Sequence, residues 1–460
     1  MLDRRAFLGT SGLALVGTAA GARPRPNLIG DIQRRTFDYF RDTTDPRTGL
    51  APDRWPTKSF ASIAAVGFAL TAWPIGVHNG WMTRAEARTR TLRCLQFFAG
   101  SPQGPAATGV SGYKGFFYHF LDMATGRRFG RTELSTIDTT LLLGGVLFAQ
   151  TWFDRDDPEE RRIRALAEGL YRAIEWDWIV PRGTFVGMGW HPETGFIKSD
   201  WAIYDEALLL QILALASPTH PLPPTLWPAL TERYARSWTD RYGRAHLHFG
   251  PMFGHQYSHM FVDFRGIREP FIASKGIDYF ENSRRATYAQ RRYAITNPGR
   301  WKGYSADCWG LTACDGPGDF KQLIDGRERE FFSYSARGPG DRDDGTIAPT
   351  AAIGSIAFAP EIVLPATRAM HARYGRGIYG RYGFWDSFNP TLTATAEPLR
   401  HGRIVPGTGW VDGDHIGIDQ GPIIGGIENW RTGLIWRTMR RNPHIRRGLE
   451  RAGFKGGWLG

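Results

Sequence analysis

Residues 201–217 read WAIYDEALLLQILALAS, from Trp201 to Ser217. Tyr204, Asp205 and Glu206 come first, and Ala207, Leu208, Leu209, Leu210, Ile212, Leu213 and Leu215 then leave a helix with no polar face. A helix apolar all round belongs inside a large protein. Glu206 therefore stands where a buried element begins. On a first helical turn, burial raises the pKa of a carboxyl while the positive end of the helix dipole lowers it. Taken alone, the acid reads as an ordinary first-turn residue, so any further meaning depends on the rest of the chain.

The same alternation recurs on both sides. Ser59 to Trp73, stopped by Pro74, is nearly all small or apolar and Thr136 to Gln150 is apolar on every side, while Thr346 to Ala359 and Gly417 to Trp436 are rich in Gly, Ala and Ile. Between them, Asp31 to Phe40, Thr83 to Phe98, Pro158 to Trp176 and Leu226 to Tyr242 are two-faced, and Glu361 to Tyr374 is mixed. Buried helices taking turns with amphipathic ones predict an inner ring inside an outer ring, an all-α (α/α) toroid. In such a toroid each outer helix carries the chain back, so every inner N-terminus opens at one end. Asp138, Glu206 and the acids just before Thr346 then converge on a single mouth. The long aromatic loops at 116–120, 176–201, 249–266 and 382–414 are expected to wall a cleft there.

Composition narrows the function classes. The formal net charge is +12, but the arginines are scattered along the chain instead of forming a basic tract interleaved with aromatics, which argues against nucleic acid. The 17 Trp suit both a large core and stacking on sugar rings. Asp3-Arg4-Arg5-Ala6-Phe7-Leu8, an apolar run to Ala19 and Ala20-Gly21-Ala22 read as a twin-arginine signal over residues 1–22. A single domain over 23–460 in the periplasm or outside the cell follows, with no membrane span expected. Of the three cysteines, Cys308 and Cys314 are close enough in sequence to close a small loop in an oxidising compartment.

For chemistry, two carboxyl groups suffice to cleave a glycosidic bond, one donating a proton and one activating water or attacking carbon. The candidates are Glu133, Asp138, Asp205, Glu206, Asp263, Asp386, Asp412, Asp414 and Asp419, of which Asp205, Asp263, Asp386, Asp412 and Asp414 lie directly beside glycine or aromatic residues. His255 and His259 are four apart without the acid and third ligand of a zinc motif, so no metal and no cofactor are expected.

The segments ELSTIDTTLLLGG (Glu133 to Gly145), WAIYDEALLLQILALASPTHPL (Trp201 to Leu222), FGHQYSHMFVDFRG (Phe253 to Gly266), GYSADCWGLTACDGP (Gly303 to Pro317), YGFWDSFNP (Tyr382 to Pro390) and DGDHIGIDQGPIIGGIENWRTGLIW (Asp412 to Trp436) resemble the bacterial glucoamylase-like family that includes the endo-β-1,2-glucanases. The resemblance implies an (α/α)6 toroid that hydrolyses β-1,2-glucan with inversion. It implies Glu206 as general acid and Asp386 as base, with Asp412 and Asp419 as competitors for that role, and Asp138 as a pocket acid. Tyr204, His255, Gln256 and His259 are expected substrate contacts. So are Asp263, Arg265, Trp309, Asp412 and Asp419. The alternatives are a hydrolase of another glucan linkage, a sugar-binding envelope protein without activity, and a lyase using Tyr257 with His255 or His259.

Overall fold

The computed structural model describes residues 27–460, so the signal-peptide reading of residues 1–22 lies outside the described residues. Six helices carry the buried pattern: Ile63–His78, Thr136–Trp152, Leu208–Ala216, Tyr257–Phe261, Pro349–Ile353 and Gly417–Arg431. The first packs against the second, the second against the third and the third against the fourth. Gln256, at the start of the fourth, donates to the Ala351 carbonyl in the fifth at 3.0 Å. The fifth packs on the sixth, and the sixth returns to the first. Outside them lie the two-faced helices Leu28–Thr43, Arg84–Ala99, Pro158–Arg172, Leu226–Tyr234, Tyr279–Thr296 and Pro360–Ile378. Four of these begin on a side-chain cap, from Asn27, Thr83, Asp157 and Asp278, each satisfying an orphan N–H of the first turn.

Several boundaries differ from the sequence reading. Pro74 does not stop its helix, which runs on to His78 with Pro74 inside it; tight burial on all sides outweighs the one hydrogen bond that proline removes. The helix after Glu206 is only Leu208–Ala216. Asp205 Oδ1 accepts the Ala207 N–H at 2.9 Å, which holds the preceding turn, and the Leu209 N–H is taken by Ser258 Oγ of the neighbouring helix at 2.9 Å. Glu206 thus precedes the helix instead of riding on its first turn. The apolar run from Thr346 is helical only over Pro349–Ile353, and the run from Gly417 breaks after Arg431, where Gly433 adopts φ 67° before Leu434–Met439.

Among the described residues the loops hold twenty short strands, most of two residues, so the fold is helical without being purely α. The longest pair, Phe320–Ile324 with Arg327–Phe331, is an antiparallel hairpin. Cys94, Cys308 and Cys314 are all buried and unpaired. No helix among the described residues is long and apolar enough to cross a membrane.

Candidate active site

Five of the six buried helices bring their N-terminal ends together, whereas Pro349–Ile353 and the acids before Thr346, Asp341, Asp343 and Asp344, do not line the cavity they share. Ser62 and Ile137 with Asp138, Glu206, Tyr257, and Ile416 with Ile418, all at or within two residues of five helix starts, line one cavity of about 350 Å³. Loops complete it with Asp53, Arg54, Phe60, His119, Phe120, Phe253 and Tyr334. Ser62 and Ser135 cap two of these helices, each Oγ accepting an N–H of the first turn. That role ties the position of the capping residue to the site it borders.

One bank of the cavity is built around Glu206. Burial, reinforced by the charge of Asp205, raises the Glu206 carboxyl well above its usual range, and its Oε2 has no hydrogen-bond partner. Burial also pushes Asp205 up to about 7. Beside them, His119 lies between Glu133, at 2.7 Å from Nδ1, and Asp138, at 3.4 Å from Nε2. Burial opposes the charged imidazole, yet Asp138 and Glu133 together raise it to about 9. Asp138 is raised by burial against the pull of His119 and accepts the Ser135 hydroxyl at 2.5 Å.

A second bank of carboxylates, Asp386, Asp412 and Asp419, is buried and does not line the cavity. Asp386 is raised well above its usual range by burial and then by Asp419 and Asp315, and its Oδ2 accepts the Asp315 N–H at 2.8 Å. Burial takes Asp419 up to about 8, opposed by a hydrogen bond from Asp386. Asp412 is raised well above its usual range by burial, then by Asp315 and Asp386. Each of Asp386, Asp412 and Asp419 keeps one buried oxygen without a partner. Arg54 is the cation among them, with Nη1 2.6 Å from Asp315 Oδ2. Burial, then the charges of Asp419, Tyr334, Glu206 and Asp138, raises the Tyr257 hydroxyl well above its usual range.

The remaining predicted contacts lie elsewhere. Tyr204 is fully buried and its hydroxyl meets His255 Nδ1 at 3.1 Å. His255 is held well below its usual pKa by burial and the neighbouring histidines. Gln256 spends its amide on Ala351 and Ser355, and His259, held down to about 3 by burial, meets Ser283 Oγ at 3.0 Å. Asp263 pairs with Arg265 at 2.7 Å and with Arg440. Trp309 is 1% exposed in the second core cluster. These groups serve packing between helices, and none lines the cavity.

Asp53, Arg54, Ser62, His119 and Tyr334 were absent from the sequence-level site. Asp53 and Arg54 sit in a stretch that reads as a loop, and Ser62 falls inside the run from Ser59 that reads as helix, whereas the helix starts at Ile63 with Ser62 as its cap. For a metal, Asp315, His401 and Asp412 bring one donor atom each within 4.8 Å of one another, two carboxylates and an imidazole of the kind that suits a divalent ion. The Arg54 guanidinium already lies against two of them, 2.6 Å from Asp315 and 3.4 Å from His401 Nδ1. A larger hollow of about 700 Å³ beside the helix Tyr279–Thr296 is lined by arginines such as Arg284 and Arg285, both paired with acids.

A family model described as "Putative glucoamylase" matches residues 198–443. The chain belongs to this glucoamylase family. Among its relatives is the structure of a "putative glucoamylase" from Bacteroides uniformis, 32% identical, covering 94% of this chain and 98% of that one, with a TM-score of 0.78. The endo-β-1,2-glucanase of Chitinophaga pinensis, solved with sophorotriose and glucose, is 26% identical over 94% of this chain and 99% of its own, with a TM-score of 0.77. An exo β-1,2-glucooligosaccharide sophorohydrolase of Parabacteroides distasonis is 26% identical over 92% of this chain. The chain spans 57% of that relative's length.

Proposed function

We propose that this glucoamylase-family chain is a glycoside hydrolase acting on β-1,2-glucan or its oligosaccharides, with inversion at the anomeric carbon. The observation that carries the reading is Glu206: a buried carboxyl with a free oxygen, facing a cavity and raised well above its usual pKa. Such a group holds its proton at neutral pH and can give it to a leaving glycosidic oxygen. The names of the relatives, an endo-β-1,2-glucanase and a sophorohydrolase, support the substrate class. The base in this reading is Asp386. Burial and the charge of Asp419 raise its carboxyl, so its ionised form is a strong proton acceptor, able to draw a proton from water directly or through a sugar hydroxyl. Asp138, countered by the His119 imidazolium, holds a sugar hydroxyl near Glu206. The six buried helices close an (α/α)6 toroid in one catalytic domain, exported by the twin-arginine route to the periplasm or beyond.

The test is hydrolysis of linear β-1,2-, β-1,3-, β-1,4- and α-linked glucans, with products resolved by chromatography and their anomeric form read by NMR. The expected outcome is cleavage of the β-1,2-linked chain alone, releasing the α-anomer. Glu206→Gln is expected to bind the chain while kcat falls about a thousandfold, the scale of a lost general acid. Undiminished turnover in that variant would refute the assignment.

A further inference from the structure

Four rings run in series out of the cavity. His119, which touches Asp138, stacks on Phe120 with centroids 3.9 Å apart and planes 25° apart. Phe120 meets Phe60 at 4.1 Å and Phe60 meets Phe129 at 4.7 Å, each at about 40°. The first three rings line the cavity, whereas Phe129 does not and is 42% exposed. A singly exposed apolar side chain is ordinary; what sets Phe129 apart is its continuity with the rings that line the cavity.

The position of Phe129 is fixed. Its N–H donates to the Phe120 carbonyl at 3.0 Å. The next residue back, Arg128, has a buried side chain that grips Glu193 through two hydrogen bonds of 2.7 and 3.1 Å and also donates to the Thr132 carbonyl at 2.7 Å. The segment carrying the ring is therefore anchored on both sides, and the ring is held at the rim.

We infer that Phe129 is a saccharide platform: it binds a glucosyl unit of the same glucan chain that occupies the cavity, beyond the units flanking the scissile bond. The inference rests on the glucan reading above. A β-glucosyl ring carries its hydroxyls at the equator and shows C–H groups on its faces, so an exposed aromatic face continuous with the cavity matches it in shape and polarity. The cavity supplies the carboxylates, and the ring series extends grip along the chain. Short oligosaccharides end before reaching Phe129, so the platform discriminates by length.

The experiment compares kcat and KM for a β-1,2-linked trisaccharide and octasaccharide in the wild type, Phe129→Ala and Phe129→Tyr. For Phe129→Ala the octasaccharide KM is expected to rise about tenfold with kcat unchanged, while both constants for the trisaccharide stay within about twofold. Phe129→Tyr is expected to behave as the wild type. Equal effects at both lengths, or none at either, would overturn the platform. Calorimetry of the same two sugars on Glu206→Gln and on Glu206→Gln/Phe129→Ala reads affinity without turnover. There a length-selective loss supports the platform and a length-independent one overturns it. Failure of Glu206→Gln to bind either sugar overturns the glucan reading, and the platform falls with it.

Discussion

At the scale of single residues, the site depends on carboxyls whose proton affinities are set by burial and by one another. Asp205 raises Glu206 by its charge and is itself raised to about 7 by burial. Asp205→Asn keeps an oxygen for the Ala207 N–H but removes the charge. The Glu206 pKa then falls, and the alkaline limb of the kcat/KM profile is expected to move to lower pH; an unmoved limb would separate Asp205 from the acid. A stability effect accompanies it. An acid whose folded pKa is raised favours folding most below its unfolded value near 4, and loses that contribution as pH rises toward its folded pKa. The fall in melting temperature between about pH 4 and pH 7 is therefore expected to shrink in Asp205→Asn. On the other bank the sign runs the opposite way for activity. Asp419 raises Asp386 by its charge, so Asp419→Asn is expected to move the acid limb to lower pH, whereas Asp386→Asn abolishes turnover at every pH. Glu206 and Asp138 were legible in sequence because each sits beside an apolar run. His119 was not, because nothing in FFYHF shows that Glu133 and Asp138 will grip it from two sides.

At the scale of elements, the closeness of the buried helices depends on glycine. Ile63–His78 and Thr136–Trp152 cross where a Cβ on Gly67 would overlap the Leu141 carbonyl and one on Gly145 would overlap the Gly67 carbonyl. Both obstacles are backbone and have no rotamer to escape into. Gly67→Ala is expected to cost about 3 kcal/mol through overpacking, read as a lower denaturation midpoint at unchanged slope. Gly169, in Pro158–Arg172 with open space around it, supplies the contrast: Gly169→Ala is expected to stabilise by about 1 kcal/mol from helix propensity. A loss in both variants would indicate that crowding is not the cause. The alternation of apolar and two-faced helices was readable because burial writes itself into composition. Their ends were less so. Leu208–Ala216 is cut short by the Asp205 turn and by Ser258, a residue some fifty positions away along the chain, and no local pattern reports such a partner. The same limit explains Gln256 and His259, which stand in a motif but spend their polar atoms on Ala351, Ser355 and Ser283.

At the scale of the molecule, convergence of five helix starts on one cavity brings Asp53, Asp138, Glu206 and Tyr257, far apart in the chain, to a single hollow. That convergence needs the interior assembled as a whole, and the cysteines bear on when assembly happens. Cys94, Cys308 and Cys314 are buried and free, and burial pushes Cys308 up to about 12 and raises the other two still further from reactivity. Thiols so placed are inert only once the fold is complete, since exchange requires an accessible thiolate. A chain threaded unfolded into an oxidising compartment would expose all three, whereas the twin-arginine route proposed here moves a folded protein and hides them beforehand. Native protein recovered from the periplasm is thus expected to leave a thiol reagent unreacted and to release three thiols per chain after denaturation. Replacing the leader by one that exports unfolded chains is expected to lower that count and the yield of active protein together. Equal thiol counts and yields by both routes would remove the link between the buried cysteines and the mode of export.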